Sequence, residues 1–434
     1  MKLLSKSLIT PLLVGVISAC SSGGSETTQA EQDNLDLFAY LKTDYFWNDT
    51  LPEEINTAAW STMPQAMNAL RAPQDRFSFV MTNAEYADYV ASVFFGYGFS
   101  HKVTENSDGL LIRYAFEQGS AYQNGLRRGD IITHVAGTSI ASALSQSSDL
   151  SNLFGPNQEG HTADITFVKP DGTVVETQFT KSSIVANTVM AAQVKDITIN
   201  SEPTKLGYLV FDSFKESSEQ ELEAAFDMFD AQGVEELILD LRYNSGGRIS
   251  IAQQLSQQIG GNHVENQVFV QYVHNELQSS RNTTTYFNLP ANYEQLNLNR
   301  VVVLTSGETC SASELVINAL NPFIEVTVVG GETCGKPIGM YPTEINDWTV
   351  FAINFQTQNA IGFGDYFDGL AADCVVAETI PGDWGDETEA LLAEGIYYLQ
   401  NDSCSTGGAG VNSVLKPTKK VDFSRGPVKV RNAL

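Results

Sequence analysis

Apolar residues in the first part of the chain recur at three- and four-residue intervals. Leu35, Phe38, Leu41 and the Tyr45-Phe46 pair show this spacing. Such a spacing places apolar side chains on one face of a helix. The pattern predicts a small helical domain over residues 31–88.

The pattern then changes to short apolar stretches separated by glycines. Three stretches carry it, namely 96–99 (GYGF), 109–114 (GLLIRY) and 125–132 (GLRRGDII). Short strands broken by glycine turns indicate a β domain. We expect this domain to occupy residues 89–185.

From about residue 186 to residue 404, buried strands alternate with amphipathic helices. The predicted strands are 208–211, 236–241, 301–304 and 326–329, and the predicted helices are 218–232, 249–259 and 311–320. Ser218 and Glu221 have the spacing of a capping box at a helix start. Strands alternating with helices predict an α/β domain. The fold class is therefore multidomain α+β, with an α/β core.

The N-terminus has the pattern of an export signal. Lys2 and Lys6 precede an apolar run over residues 8–17, which is too short for the roughly 20 residues of a membrane span. The run ends in Ile17-Ser18-Ala19-Cys20, which resembles the bacterial lipobox. This resemblance implies a signal peptide over 1–19, lipidation of Cys20 and a flexible tether over 20–30. An ordinary signal peptide cleaved beside a chance cysteine is the alternative.

By similarity to lipoprotein sorting, the serine that follows Cys20 favours the outer membrane of a Gram-negative cell, with the protein facing the periplasm. No later segment has the length and apolarity of a membrane span. The sequence therefore predicts attachment to the membrane through the lipid at Cys20.

Composition narrows the classes of partner. The chain has 434 residues, 42% of them hydrophobic, and a net charge of −27. So acidic a protein repels phosphate backbones, which argues against nucleic-acid binding. Residues 405–434 form a predicted mobile tail with a cluster of basic side chains, at positions 416, 419, 420, 425, 429 and 431.

Four cysteines besides Cys20 follow the predicted export signal: Cys310, Cys334, Cys374 and Cys404. Exported proteins form disulfides, and four cysteines allow three pairings. Proximity in sequence favours Cys310 with Cys334 and Cys374 with Cys404. None of the four has the paired spacing of a zinc site, so no metal is expected.

Familiar catalytic motifs are missing from the sequence. HExxH, GxSxG, the P-loop and GxGxxG do not occur, and the five histidines follow no metal or triad spacing. We therefore expect neither a metal nor a nucleotide cofactor. The chemistry must come from other residues.

Three sequence features could supply that chemistry. Ser311 lies at a predicted helix start, where a serine is exposed and nearby amides can hold an oxyanion. Lys336 lies 25 residues later and can act as a base if burial keeps it neutral. Gly246 and Gly247 let the backbone approach a scissile carbonyl. Taken singly, the serine equally fits a helix cap, the lysine a solvated charge and the glycine pair an ordinary turn.

In this order, these features resemble the C-terminal processing, or tail-specific, serine proteases over residues 35–385. The strongest parts are LILDLRYNSGG, SASE and GETCGKPIG. The resemblance implies a PDZ-like domain over about 90–180, in which Gly98 and Phe99 bind a peptide's terminal carboxylate. It also implies a crotonase-like ββα protease core.

Matched residue by residue, the family's nucleophile corresponds to Ser311 and its general base to Lys336. The oxyanion donors correspond to the amides of Ala312 and of either Gly246 or Gly247. Ser313 and Ser306 are rival nucleophiles. The resemblance thus implies a serine endopeptidase with a Ser-Lys dyad.

One position departs from the family pattern. Several members carry Gln or Glu four residues after the lysine, where it orients the amine, and this chain has Met340. A thioether cannot do this work. Glu314 or Glu332 could replace it, although the sequence does not place either one.

The expected activity is cleavage of proteins or peptides after recognition of their C-termini. One alternative is an inactive protease-like scaffold that binds envelope proteins. Another is an enzyme for small peptides or other amides and esters, with the PDZ-like segment acting as a lid. The sequence leaves the physiological substrate and the oligomeric state open.

Overall fold

The computed structural model describes residues 27–91, 94–184, 187–290 and 293–405. The predicted signal peptide, the lipidation site Cys20 and the basic tail after residue 405 lie outside these ranges. Within them, no helix combines the length and apolarity needed to cross a membrane.

The described elements fall into three groups along the chain. The first contains α1 Gln29–Asp44, α2 Met63–Leu70, β1 Phe79–Thr82 and α3 Asn83–Ala91. The second contains β2 Phe94–Gly96, β3 Phe99–Val103, β4 Leu110–Ala115, α4 Ser120–Gln123, β5 Ile131–Val135, β6 Thr138–Ser139, α5 Ile140–Gln146, β7 Thr162–Val168, β8 Val174–Thr180 and β9 Ser182–Ile184.

The third group begins with β10 Val189–Ile199, β11 Glu202–Phe211, α6 Ser218–Ala231, β12 Glu236–Asp240, α7 Ile249–Gly260, β13 Val268–His274, β14 Thr283–Tyr286 and β15 Arg300–Thr305. It continues with α8 Ala312–Leu320, β16 Glu325–Gly330, β17 Ile338–Met340, β18 Thr343–Ile345, β19 Trp348–Phe351, β20 Ile353–Gln358, β21 Cys374–Val375 and α9 Ala390–Asn401.

The central sheet of the third group has the strand order β10-β11-β12-β15-β16-β21. All its pairs from β11 onward are parallel, whereas β10 forms an antiparallel pair with β11. Both faces of the sheet are buried: Val301 and Val303 face one cluster, while Val302 and Leu304 face another. Strands covered on both faces are typical of parallel sheets. The predicted α/β core is confirmed.

Helices cover the central sheet on both sides. Helices α6, α7 and α8 contribute to the larger cluster through Phe226, Leu255 and Leu315. Helix α9 packs on the opposite face through Leu391 and Leu399. This layering places the C-terminal ends of the parallel strands, and the loops after them, along one edge.

The predicted capping box at Ser218 is wrong. Ser217 precedes helix α6 as its cap residue, and the Ser218 side chain instead donates to the carbonyl of Ser213 at 2.9 Å. The Glu221 carboxylate accepts the amides of Thr188 and Val189 at 2.7 and 2.8 Å. A contact between distant segments therefore replaces the local cap.

The second group forms the predicted small β domain. Its main sheet has the order β3-β4-β5-β7-β8, so β3 is an edge strand of that sheet. The domain has its own apolar core, which includes Phe99, Ile112, Phe167 and Phe179.

The first group packs on the third group through a strand pair and a shared apolar cluster. Helix α1 begins at Gln29, inside the stretch expected to be a tether, and strand β1 forms an antiparallel pair with β19 of the third group. Leu41, Met67 and Phe77 share one apolar cluster with Cys310 and Cys334. The N-terminal segment therefore packs directly against the loops that follow β15 and β16.

Candidate active site

Ser311 lies between strand β15 and helix α8 and is partly exposed. Its φ of +58° is a conformation that residues with a Cβ rarely adopt, and such strain is concentrated at functional sites. The turn is held by a hydrogen bond of 3.0 Å from the Cys310 amide to the Asn244 carbonyl. This geometry places the Ser311 side chain at the N-terminal end of α8.

The two rival serines have structural partners. Ser313 is fully buried and donates to the Asn244 carbonyl at 2.9 Å. Ser306 donates to the carbonyl of Arg242 and accepts the amide of Glu308. Neither hydroxyl has the partly exposed, strained position of Ser311.

The Gly246-Gly247 turn lies directly against the Ser311 turn. A Cβ on Gly246 would come within 2.7 Å of the Cys310 carbonyl oxygen and 2.9 Å of the Ala312 nitrogen, so only glycine fits. The Gly246 amide donates to the Asn244 side chain at 2.9 Å. It is therefore already used inside the protein.

The amides of Gly247 and Ala312 differ from that of Gly246. Within the described ranges, neither donates a hydrogen bond to another group of the chain. Phe214 forms a β-bridge with Gly247: the Phe214 amide donates to the Gly246 carbonyl, and the Phe214 carbonyl accepts the Arg248 amide. The Gly247 amide takes no part in this bridge. Of the two glycines considered from the sequence, Gly247 is the one with an available donor.

Lys336 lies on the loop between β16 and β17 and is partly buried. Its Nζ lies 5.3 Å from the centroid of the Phe77 ring. Burial lowers the pKa of Lys336 to about 8. The negative charges of Asp75 and, to a smaller extent, Glu314 act in the opposite direction and raise the pKa. A lysine with this pKa is partly neutral near neutral pH, which is a requirement for a general base.

Glu314 connects the Ser311 turn to the Lys336 loop. Its buried carboxylate accepts the amides of Ser311 at 2.8 Å, Lys336 at 2.9 Å and Gly335 at 2.7 Å, and the Thr333 hydroxyl at 2.5 Å. Burial raises the pKa of Glu314, whereas these hydrogen bonds lower it. Both carboxylate oxygens therefore accept hydrogen bonds from backbone amides and from Thr333, and not from the lysine amine.

Cys310 and Cys334 form a disulfide with a Cα–Cα distance of 5.1 Å, and Cys374 pairs with Cys404. Both favoured pairings are confirmed. Cys310, Glu314 and Cys334 come close enough together to resemble a metal site, as do Cys374, Glu394 and Cys404. Within each group the two sulfur atoms form a disulfide, so neither group offers thiolate ligands.

Met340 and Glu332 do not orient the lysine amine. Met340 packs in the apolar cluster of Phe79 and Phe351, and Glu332 is exposed. The carboxylate whose charge acts most on Lys336 belongs to Asp75, in the N-terminal segment. No motif spacing in the sequence connects Asp75 with Lys336, so the sequence gives no signal for this pair.

Gly98 and Phe99 lie in the small β domain, at the start of edge strand β3. Gly98 has φ +87°, and a Cβ there would come within 2.7 Å of the Gly119 Cα. The Phe99 side chain is buried in the domain core. Only the backbone of this pair is therefore placed to meet a peptide.

Polar contacts join the small β domain to the core beside the Ser311 loop. Arg113 forms a two-bond ion pair with Glu308, at 2.6 and 2.9 Å, and stacks over the Tyr243 ring at 4.7 Å. Glu308 precedes Ser311 by three positions, and Tyr243 precedes Asn244. The two domains thus meet at both turns that surround the nucleophile candidate.

Comparison with known proteins places the segments around this serine turn in a class of peptidases. Residues 205–373 match the model of Peptidase family S41, and residues 34–79 match the Peptidase S41 N-terminal domain. The chain therefore contains domains of peptidase family S41 in these two stretches.

Curated relatives share the family but are distant in sequence. "Probable CtpA-like serine protease" of Staphylococcus saprophyticus is 23% identical over 76% of this chain and 62% of its own length. "Carboxy-terminal processing protease CtpA" of Bacillus subtilis is 22% identical over 79% of this chain and 68% of its own length. The chain thus spans about two thirds of the length of these relatives.

A solved structure extends the likeness to the fold. A Bacteroides fragilis protein described as an S41 protease superposes with a TM-score of 0.71 at 25% identity. The superposition covers 85% of this chain and 97% of that one. The order of the domains is therefore shared along nearly the whole described chain.

Proposed function

We propose that this protein is a serine endopeptidase that cleaves proteins or peptides through an acyl-enzyme, with Ser311 as nucleophile and Lys336 as general base. One observation carries the proposal: the strained Ser311 turn and the Lys336 loop are joined by Glu314 and by the Cys310–Cys334 disulfide. A serine and a lysine held in this way can share a proton in place of a Ser-His pair.

The first half of the reaction is acylation. Neutral Lys336 accepts the proton of the Ser311 hydroxyl as Oγ attacks the scissile carbonyl carbon. The carbonyl oxygen becomes an oxyanion, for which the free amides of Ala312 and Gly247 are the donors. Lys336 then returns the proton to the leaving amine, and the C–N bond breaks.

The second half is deacylation. A water molecule gives a proton to Lys336 and attacks the ester carbon. Lys336 returns that proton to Ser311 Oγ as the ester bond breaks, and the acid product leaves. No step of this mechanism requires a cofactor.

Recognition of substrate C-termini is the second part of the proposal. The small β domain would act as a PDZ-like domain, with a peptide added as a strand beside β3. Its position at a sheet edge supports this, as does the Gly98 turn at its start. The peptide carboxylate would then meet the backbone at Gly98 and Phe99.

The third part concerns location. We propose an outer-membrane lipoprotein anchored through Cys20 and facing the periplasm, with no nucleic-acid partner. The two disulfides support an oxidising compartment, and the lipobox-like sequence supports the anchor. Globomycin, which inhibits lipoprotein signal cleavage, should cause the larger precursor to accumulate, as should Cys20→Ala.

Degradation of casein by the purified full-length protein tests the activity. Parent protein, Ser311→Ala and Lys336→Ala are compared, with circular dichroism as a check of folding. We expect cleavage by the parent and at least a hundredfold loss in both folded variants. Equal cleavage by Ser311→Ala would contradict the proposal, and a folded parent that cleaves nothing would favour a binding role.

A further inference from the structure

We infer that Asp75 is a positioning residue for Lys336, so that the N-terminal segment completes the catalytic centre. This inference rests on the proposed Ser-Lys function. It assigns to Asp75 the orienting role that Met340 cannot fill and for which the sequence offered Glu314 or Glu332.

Asp75 is buried, with 3% of its surface exposed, and both of its carboxylate oxygens accept hydrogen bonds. One carboxylate oxygen accepts the Tyr45 hydroxyl at 2.6 Å, and the other accepts the amides of Phe77 and Ser78, both at 2.9 Å. Tyr45 in turn accepts the Ala72 amide at 2.9 Å. Three donors to one carboxylate fix its position in the turn.

The loop that Asp75 shapes lies against the Lys336 loop. Asp75 accepts the backbone amide of Phe77, and the centroid of the Phe77 ring lies 5.3 Å from the lysine Nζ. Arg76 donates to the Cys334 carbonyl at 2.8 Å, two residues before Lys336. The same short turn therefore contacts both the backbone and the amine of the base.

The charges around Lys336 come from two parts of the chain. Asp75 and Arg76 come from the N-terminal segment, and Glu314 comes from helix α8. Within the described ranges, the lysine Nζ takes part in no hydrogen bond and no ion pair within 4 Å, and it lies over the Phe77 ring. A carboxylate that attracts the amine without a direct bond leaves the lone pair available for the Ser311 proton.

This arrangement gives Asp75 two roles. Its turn holds the Phe77 ring under the amine, which restricts where the side chain can point. Its charge stabilises the ammonium that forms when Lys336 takes the proton. Loss of the charge should move the ionisation of Lys336 to lower pH, and loss of the turn should lower the rate.

The experiment measures how fast a fluorophosphonate labels Ser311 in the full-length protein between pH 6 and 10. This probe reports serine reactivity without requiring a known substrate. Parent, Asp75→Asn, Tyr45→Phe and Lys336→Ala are compared, with Asp49→Asn as a control. Asp49 is exposed, so Asp49→Asn removes the same charge from the surface of the protein and not from its interior.

In Asp75→Asn, we expect the rising limb of the labelling rate to move about one pH unit lower, with a plateau about tenfold slower. In Tyr45→Phe, the charge remains, so the limb should stay in place while the plateau falls severalfold. Asp49→Asn should match the parent. A purely structural role for Asp75 would lower the plateau without moving the limb, which would overturn the inference.

Two failures can be told apart. If Lys336→Ala labels as fast as the parent, the proposed Ser-Lys function fails. If Lys336→Ala is inert while Asp75→Asn keeps both the limb and the plateau of the parent, only the role of Asp75 fails. If Asp75→Asn does not fold, an unchanged plateau in Tyr45→Phe would still overturn the inference.

Discussion

A disulfide joins Cys310, the residue directly before Ser311, to Cys334, which lies two positions before Lys336. Both half-cystines are buried among residues of the N-terminal segment and of strands β17 and β19. The covalent bond therefore fixes the distance between the two turns that carry the proposed dyad. Its loss should affect catalysis more than its effect on stability alone would explain.

The first prediction compares the two disulfides. Replacing Cys310 and Cys334 with alanine should lower casein cleavage at least tenfold, because the serine and lysine turns lose their covalent link. Replacing Cys374 and Cys404 is a matched control, since the sequence separations are 24 and 30 residues. Each loss should cost about 3 kcal/mol of stability.

The measurements are urea unfolding curves and cleavage rates of both double variants under conditions where they are folded. Similar losses of stability with a loss of activity confined to the Cys310–Cys334 variant would support the prediction. Equal activity in the two folded variants would contradict it.

The second prediction concerns Glu314. In Glu314→Gln, one of the two carboxylate oxygens becomes a donor and opposes the amide or hydroxyl donors that it formerly accepted. We expect a loss of about 2–4 kcal/mol in the free energy of unfolding and at least a tenfold loss of cleavage. Urea unfolding and casein cleavage measure the two effects.

Glu332→Gln provides the control, because Glu332 is exposed and has the same side chain. It should match the parent in both measurements. A Glu314→Gln protein with the parent's stability and cleavage rate would show that the hydrogen bonds between the turns are dispensable.

The sequence predicted the core well because its signals are local. The strand 236–241, the helix 249–259 and the serine at the start of 311–320 each follow from apolar spacing and a turn. The structure has β12, α7 and α8 at those places. The two disulfides also followed from proximity along the chain.

The misses share a different cause. Strand β1 pairs with β19, Glu221 binds the amides of Thr188 and Val189, and the charge of Asp75 acts on Lys336. Each depends on a contact between segments far apart in the chain, which no periodicity records. The choice between Gly246 and Gly247 also required the position of the Asn244 side chain.

The third prediction is the pH dependence of the reaction. Burial lowers the pKa of Lys336 to about 8, and the base is neutral only above its pKa. The cleavage rate should therefore rise between about pH 7 and pH 9 and then level off. A pH profile of kcat/KM for casein measures it, and a rate that falls across this range would contradict the assignment.

The same pKa predicts an effect on stability. The ordinary pKa of lysine is 10.5, so between pH 8 and 10.5 the unfolded chain holds a proton that the folded chain has released. Stability from this group therefore rises with pH across that window, and its full cost is present below pH 8. Lys336→Met should raise the melting temperature at pH 7 by a few degrees, with less gain at pH 10.

Thermal unfolding at both pH values measures the gain. Lys205→Met is a suitable control because Lys205 forms an exposed ion pair with Asp196. It should give no gain at pH 7. A Lys336→Met protein that is less stable than the parent at pH 7 would show that the charged amine is not a cost to the fold.

The fourth prediction tests whether the small β domain supports the nucleophile loop. Arg113 pairs with Glu308 through two hydrogen bonds, and Glu308 lies on the loop that leads to Ser311. Arg113→Glu places two carboxylates together, so we expect a severalfold loss of casein cleavage and a loss of stability. The exchange Arg113→Glu with Glu308→Arg should recover part of both, with a coupling energy of about 1–2 kcal/mol.

The matched comparison is the exposed pair of Lys205 and Asp196, whose charge exchange should leave cleavage unchanged and give a coupling energy near zero. Cleavage that falls in Arg113→Glu and returns in the exchange variant would connect the position of the β domain to the serine turn. Loss of cleavage in the single variant without any recovery in the exchange variant would assign the effect to the stacking of Arg113 on Tyr243 instead.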